Sequence, residues 1–79
     1  MPEFAPPQKH SLTLRGHRTS VSLEQRYWEL FLKIAEKENK TINGLAAEID
    51  AQCAGKSGLA SAIRLFVLDY LIQHRDFEA

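Results

Sequence analysis

The chain has little of what disulfide formation, metal binding or membrane insertion require. Cys53 is the one cysteine among 79 residues, so a disulfide within the chain is excluded. Its three histidines, His10, His17 and His74, fall in no metal-ligand spacing, so we expect no metal and no cofactor. No apolar run approaches the roughly 18 to 20 residues of a membrane span, so we expect no membrane partner.

The first eight residues lack the pattern of a secretory signal. No basic region is followed by an apolar one, so we expect a cytoplasmic protein. Residues 1–8 contain all three prolines of the chain and show no periodicity, which predicts a flexible arm. We expect one domain over residues 9–74 and a frayed tail over residues 75–79.

Enzyme motifs are also missing. Gly55-Lys56-Ser57 is similar to the end of a phosphate-binding loop, but that motif needs a glycine where Asp50 stands. It also needs a preceding strand, and none is predicted there. With neither G-x-S-x-G nor HExxH present, we expect no enzyme.

The acidic residues are unevenly distributed, although the net charge is zero. None lies between Glu3 and Glu24, a gap that holds Lys9, His10, Arg15, His17 and Arg18. Residues 1–23 carry three bases and one acid, or +2, and residues 24–79 carry seven bases and nine acids, or −2. This asymmetry favours a local anion-binding surface, and the alternative is a basic segment that is simply solvated.

Two short runs in this basic region alternate between polar and apolar residues. The first places Leu12 and Leu14 on one face, and the second places Thr19, Val21 and Leu23 on one face. A period of two predicts half-buried strands. Gly16 lies between the runs and permits a turn or a bulge, so a hairpin and one bent strand both remain open.

Three helices are predicted after the strands. The first runs from Glu24 to about Asn39, with Phe31 and Ile34 on its apolar face. The second runs from Thr41, a good N-cap residue, to Cys53, which we interpret as a small core residue. The third follows the loop 55–58, with Ser57 or Ser61 as its cap.

The third helix is apolar on two sides. One stripe includes Phe66 and Val67, and a second face holds Leu65, Leu68 and Ile72. Such a helix needs two partners, of which one can be a neighbouring subunit. A chain of this size has a small core, so a homodimer is the expected source of additional stability.

The strand and the two helices that follow resemble the ribbon-helix-helix family of Arc and MetJ-type regulators. The resemblance is carried by Ile34–Leu45, where a helix end, a short turn, Thr41, Ile42 and Asn43 follow the family pattern, and its core covers residues 18–53. Arg18–Glu24 with Leu59–Arg64 is similar to a bacterial subgroup with an additional C-terminal helix, over roughly residues 9–72. The implied fold is mainly α with a short β-ribbon: a ribbon-helix-helix dimer plus a third helix.

The resemblance also implies a function, namely transcription regulation by binding double-stranded DNA. In this family an antiparallel ribbon with one strand from each subunit enters the major groove. If Thr19, Val21 and Leu23 face the core, Arg18, Ser20 and Ser22 face outward and read bases. We expect a dimer core of Thr19, Val21, Leu23, Phe31 and Phe66.

Phosphate contacts are expected at the start of the second helix, where free N–H groups and the helix dipole favour an anion. The residues there are Lys40, Thr41, Ile42 and Asn43, and Lys9, Arg15 and His17 can add further contacts. Ordinary solvated charges and a well-capped helix are the alternatives. Two serines at base-reading positions depart from the longer polar or basic residues that are usual in the family.

The competing hypothesis is a homodimeric protein-interaction module on the same fold, with weak or no DNA binding. Its partner would bind the apolar third helix, with Trp28 and Phe77 contributing if they are exposed. An antitoxin-like protein would combine both roles.

Overall fold

A hairpin of two strands followed by three helices makes up the computed structural model, which describes residues 5–53 and 58–74. The strands are β1, Gln8–Leu14, and β2, His17–Leu23. The helices are α1, Gln25–Lys37, α2, Ile42–Cys53, and α3, Leu59–Gln73. The interpretations of residues 1–4 and 75–79 as arm and tail lie outside the described residues, and β1 begins inside the predicted arm. None of the described helices is long and apolar enough to cross a membrane.

The turn between the strands consists of two residues. Leu14 pairs with His17, which leaves Arg15 and Gly16 between them with φ values of 52° and 83°. A two-residue loop with positive φ at both positions is the type I′ turn, whose twist matches that of the flanking strands. The sequence left a hairpin and a bent strand open, and the structure has the hairpin.

Both strands of the hairpin belong to one chain, and the predicted pairing of one strand from each subunit stays a prediction. β1 pairs antiparallel with β2 from Gln8↔Leu23 to Leu14↔His17, and these two strands form the whole sheet of the described residues. A strand that follows a two-residue turn pairs at little entropic cost, because the connecting loop is so short.

The inner face of the hairpin closes over the helices. Leu12, Val21 and Leu23 are buried there, as their alternation predicts. Thr19 is exposed in the single chain, and its predicted place in a dimer core stays a prediction. Near the turn, α2 contacts β1 through the hydrogen bond between Asn43 and Thr13. Far from the turn, the side chain of Arg64 on α3 contacts β2 at Ser22. Thr19 lies between these two contacts.

The helix boundaries follow local capping. Asn39 adopts φ 58° and the N–H of Lys40 donates to the carbonyl of Ala35 at 2.9 Å, which ends α1 in a left-handed turn that asparagine tolerates. Thr41 caps α2 as predicted, since its Oγ1 accepts the N–H of Gly44 at 3.0 Å. Gly58 holds the N-cap position of α3, so Ser61 is not the cap, and Ser57 lies outside the described residues.

A single core joins the hairpin to the helices. Its largest fully buried side chains are Phe31, Leu12, Leu23, Ile34, Ile63 and Val67. Phe66 packs edge-on against Phe31, with 6.4 Å between the ring centroids. At the open end of the hairpin, His10 stacks on Trp28 with centroids 4.0 Å apart, which holds β1 against α1.

Arg64 connects α3 to the end of β2. Its Nε donates to Oε1 of Glu24 at 2.8 Å, and its Nη2 donates to the carbonyl of Ser22 at 3.4 Å. The hydrogen bond from Arg64 is the main reason why the pKa of Glu24 lies below its ordinary value. This ion pair therefore fixes the junction between the ribbon and α1.

Replacing Val21 by aspartate should unfold the chain, because it places a carboxylate in the core under the ribbon. An unpaired buried charge costs at least about 3 kcal/mol, a large part of the stability of a small domain. Circular dichroism with urea titration measures the loss. Ser20→Asp, one residue away on the outer face, is the control and should change the free energy of unfolding by no more than about 0.5 kcal/mol. A folded Val21→Asp variant would show that the inner face is assigned wrongly.

Replacing Arg64 by alanine should lower the urea midpoint more at pH 7 than at pH 3. Since the folded-state pKa of Glu24 is lowered, its contribution is present above the ordinary glutamate value of about 4.3. It is lost as the pH falls through the lowered pKa. Lys33→Ala, an exposed cation on α1, is the control and should show no such pH dependence. Equal effects of Arg64→Ala at both pH values would contradict the ion pair.

Candidate nucleic-acid interface

The outer face of the ribbon is polar and exposed. Residues paired across an antiparallel ladder share a face, so the register places Lys9 with Ser22, Ser11 with Ser20, and Thr13 with Arg18. All six side chains are exposed. The predicted base-reading residues Arg18, Ser20 and Ser22 thus lie together along β2, as the alternation predicts.

Three residues of this face were not among the predicted base readers. Ser11 and Thr13 were left out, and Lys9 was expected only to contact phosphate. The alternation of residues 11–14 indicates that Ser11 and Thr13 share one face. It indicates that they share that face with Arg18 and Ser20 only if the run pairs with β2. The hairpin turn makes this pairing and doubles the polar face.

The ladder also decides which backbone groups point away from the ribbon. The N–H of Thr13 donates to Oδ1 of Asn43 at 3.0 Å, so it points away from β2. Thr13 and Arg18 therefore form a pair without ladder hydrogen bonds, and so do Ser11 with Ser20 and Lys9 with Ser22, because the two kinds of pair alternate. The backbone of Arg18, Ser20 and Ser22 consequently lines the open edge of β2, where Arg64 binds the carbonyl of Ser22.

The hydrogen bond from Thr13 to Asn43 places the start of α2 beside the ribbon. Gly44 N–H is bound by the Thr41 side chain, and Leu45 N–H by the Thr41 carbonyl. In the described part of the chain, the backbone N–H groups of Ile42 and Asn43 have no acceptor. They belong to the first turn of a helix, where N–H groups have no partner within the helix.

Lys40, predicted to contact phosphate, is anchored by a carboxylate. Its Nζ lies 2.9 Å from Oε1 of Glu48, and this hydrogen bond raises the pKa of Lys40 above its ordinary value. The ammonium group is charged but already has a partner. The Asn43 side chain is likewise engaged, by Thr13, so any anion at this end of α2 would be held mainly by backbone N–H groups.

The remaining predicted cationic residues cluster near the turn. Arg15, His17 and Arg18 are exposed there, while Lys9 lies at the other end of the ribbon. Across residues 5–53 and 58–74, none of these side chains forms a hydrogen bond or ion pair. Glu48 pairs with Lys40 and Glu24 pairs with Arg64, and among the described residues no carboxylate pairs with a cation of the outer face.

The predicted dimer-core residues do not form one surface. Val21, Leu23 and Phe31 are buried within the single chain, and Phe66 is half-buried against Phe31. Thr19 is exposed. The inner face of the ribbon therefore closes over its own helices, and the place of these residues in a dimer stays a prediction.

Comparison with known proteins gives the family. Residues 7–71 match the family model described as a ribbon-helix-helix domain. The chain belongs to the ribbon-helix-helix family. Members of this family are typically DNA-binding transcription regulators, usually form dimers, and have a fold that is not enzymatic. No curated protein and no solved structure matches the chain.

Replacing Asn43 by aspartate separates the two roles of this position. Aspartate keeps an acceptor for the N–H of Thr13 and places a negative charge at the start of α2, where the helix dipole tolerates it. Stability should therefore change by less than about 1 kcal/mol, while affinity for DNA falls at low salt. Asn43→Ala is the matched control, because it removes the acceptor without adding charge. Unchanged DNA affinity of Asn43→Asp would remove the start of α2 from the interface.

Proposed function

We propose that this ribbon-helix-helix protein is a cytoplasmic bacterial transcription regulator that inserts its β-ribbon into the major groove of double-stranded DNA. The observation that carries the proposal is the outer face of the ribbon: six exposed polar side chains, including Lys9 and Arg18, without a compensating carboxylate among the described residues. The major groove is about 12 Å wide and admits a two-stranded ribbon.

Arg18 is the main base-reading residue of the proposal. Its guanidinium is exposed, and arginine binds the O6 and N7 atoms of guanine with two parallel hydrogen bonds. Ser20 and Ser22 on the same strand, with Ser11 and Thr13 opposite, offer hydroxyl groups that donate or accept. Short hydroxyl side chains require close approach of the ribbon backbone to the base edges.

Phosphate groups flank the groove, and the start of α2 lies where one can bind. The hydrogen bond between Thr13 and Asn43 holds the N–H groups of Ile42 and Asn43 beside the ribbon, with Thr41 as cap and Lys40 adjacent. The helix dipole favours a phosphate at this position. Lys9, Arg15 and His17 are exposed at the two ends of the ribbon and are assigned to further phosphate contacts.

The hairpin pairs β1 with β2 and leaves the backbone of Arg18 and Ser20 on the open edge of β2. In the proposed homodimer the β2 strand of a second subunit pairs antiparallel at this edge, so the ribbon that enters the groove is shared between two subunits.

Replacing Arg18 by alanine should weaken specific DNA binding by roughly 1 to 3 kcal/mol and leave the fold intact. The site is first selected from a randomised DNA pool at about 50 and 200 mM salt, and affinity is measured by fluorescence anisotropy. Lys33→Ala on α1 is the control and should bind as the unmodified chain does. No enrichment of any sequence at either salt, from a folded protein, would overturn the proposal.

A second candidate function is supported by an apolar groove between α2 and α3. Leu65, Leu68 and Ile72 line it and are largely exposed, as an interaction module requires. Trp28 adds little to such a surface, since it is half-buried and stacked on His10. Phe77 lies outside the described residues. A folded chain that enriches no DNA but retains this groove would favour the interaction module.

A further inference from the structure

The outer edge of β1 carries backbone donors that point away from the hairpin. The N–H of Thr13 points to this edge and donates to Oδ1 of Asn43 at 3.0 Å. Groups that point toward and away from the partner strand alternate along an antiparallel ladder, so the N–H groups of Lys9 and Ser11 point to the same edge. Within the described part of the chain, neither of these two N–H groups has an acceptor. The edge of β1 thus offers unpaired donors on the strand that contacts the start of α2.

The outer face of β1 adds three side chains of a kind that binds phosphate. Lys9, Ser11 and Thr13 are exposed and occupy every second position, about 7 Å apart. No acidic residue lies between Lys9 and Leu23, so no carboxylate of either strand repels an anion there. Lysine ammonium groups and the hydroxyl groups of serine and threonine make many of the protein contacts to DNA phosphates.

The width of the sheet decides which strand can lie between the walls of the groove. In the proposed homodimer the two β2 strands are central, and one β1 strand lies on each outer side. Adjacent strands are about 4.8 Å apart, so the two β1 strands are about 14 Å apart. The major groove is about 12 Å wide. The β2 strands therefore fit between its walls, whereas the β1 strands meet the walls, which consist of sugar and phosphate.

We propose that β1 binds the sugar–phosphate backbone through Lys9, Ser11 and Thr13, and that base reading is confined to β2. This inference rests on the proposed function and deepens it, because it assigns a separate part of the DNA to each strand of the hairpin. The site consists of the three side chains and the free N–H groups of Lys9 and Ser11. Its ligand is a row of phosphates along one DNA strand.

The position of α2 agrees with this assignment. Asn43 contacts β1 at the edge that faces away from β2, so β1 lies between β2 and the start of α2. The N–H groups of Ile42 and Asn43 are assigned to a phosphate in the proposed function. The wall of the groove must run between the base-reading strand and that phosphate-binding group, which is where β1 lies.

A single hairpin that enters the groove without a partner strand gives a different result. Two strands about 4.8 Å apart fit into the groove together, so Ser11 and Thr13 would then face base edges beside Ser20 and Arg18. In that arrangement, replacing a residue of β1 changes the selected sequence. In the proposed arrangement it weakens binding to all sequences alike, because phosphate contacts carry no sequence information directly.

Selection from a randomised DNA pool separates the two arrangements. Ser11→Ala and Thr13→Ala should enrich the same consensus as the unmodified chain, with affinity about threefold to tenfold lower. Arg18→Ala, across the ladder from Thr13, should relax at least one position of that consensus. All three residues are exposed, and circular dichroism checks that each variant is folded. A changed consensus for folded Ser11→Ala or Thr13→Ala overturns the proposal.

Neutral phosphate analogues identify the backbone contacts directly. The selected site is synthesised with one methylphosphonate at a time, and each loss of affinity marks a phosphate that the protein contacts. In Lys9→Ala and Ser11→Ala, at least one of these losses should become smaller. Ser20→Ala is the matched control, because Ser20 pairs with Ser11 and carries the same side chain on the same face. It should retain every loss, and unchanged losses in both β1 variants overturn the proposal.

Salt dependence measures the charge contact of β1. Lys9→Ala should lower the slope of log affinity against log salt by about one for each chain bound, because one phosphate contact is lost. Lys33→Ala on α1 is the control and should leave the slope unchanged. A Lys9→Ala variant with the slope of the unmodified chain contradicts a phosphate contact at Lys9.

The outcomes distinguish this inference from the proposed function. A folded unmodified chain that selects no DNA overturns the proposed function and this inference with it. A chain that selects DNA, but whose consensus changes with Ser11→Ala or Thr13→Ala, contradicts the assignment of β1 alone and supports entry of the whole hairpin into the groove.

Discussion

The two-residue turn at Arg15-Gly16 is the constraint on which the rest of this structure depends. Positive φ at both residues lets β1 fold back on β2 in register, and that register decides which side chains face the helices. A shift of one residue would turn either Leu12 of β1, or Val21 and Leu23 of β2, toward solvent. The core under the ribbon and the polar face above it are therefore two consequences of one turn.

A few polar contacts connect the ribbon to the helices and fix how they lie against it. Asn43 binds the backbone of Thr13 on one side, and Arg64 binds Glu24 and the carbonyl of Ser22 on the other. Stacking of His10 on Trp28 holds the open end of the hairpin, which is the end far from the turn, against α1. These contacts hold the start of α2 at the β1 edge of the ribbon, next to its outer-face residue Thr13.

The hairpin buries its inner face within one chain and leaves two surfaces open. Its inner face is covered by Phe31 and the helices. The outer edge of β2 stays unpaired, and the apolar row Leu65, Leu68 and Ile72 on α3 is exposed. The predicted pairing of strands between subunits would use the first of these surfaces and leave the core of the chain intact.

The sequence by itself determined the elements, their order and the faces of β2, because periodicities of two and of 3.6 residues are local properties of the chain. It also determined the Thr41 cap, the outward position of Arg18, Ser20 and Ser22, and the second apolar face of α3. Only the tertiary structure decided that β1 is the partner of β2, that Thr19 is exposed, and that Lys40 and Asn43 are engaged by Glu48 and Thr13. These features depend on which segments meet in the fold, and local periodicity carries no information about that, least of all for the Thr13–Asn43 contact between residues 30 positions apart.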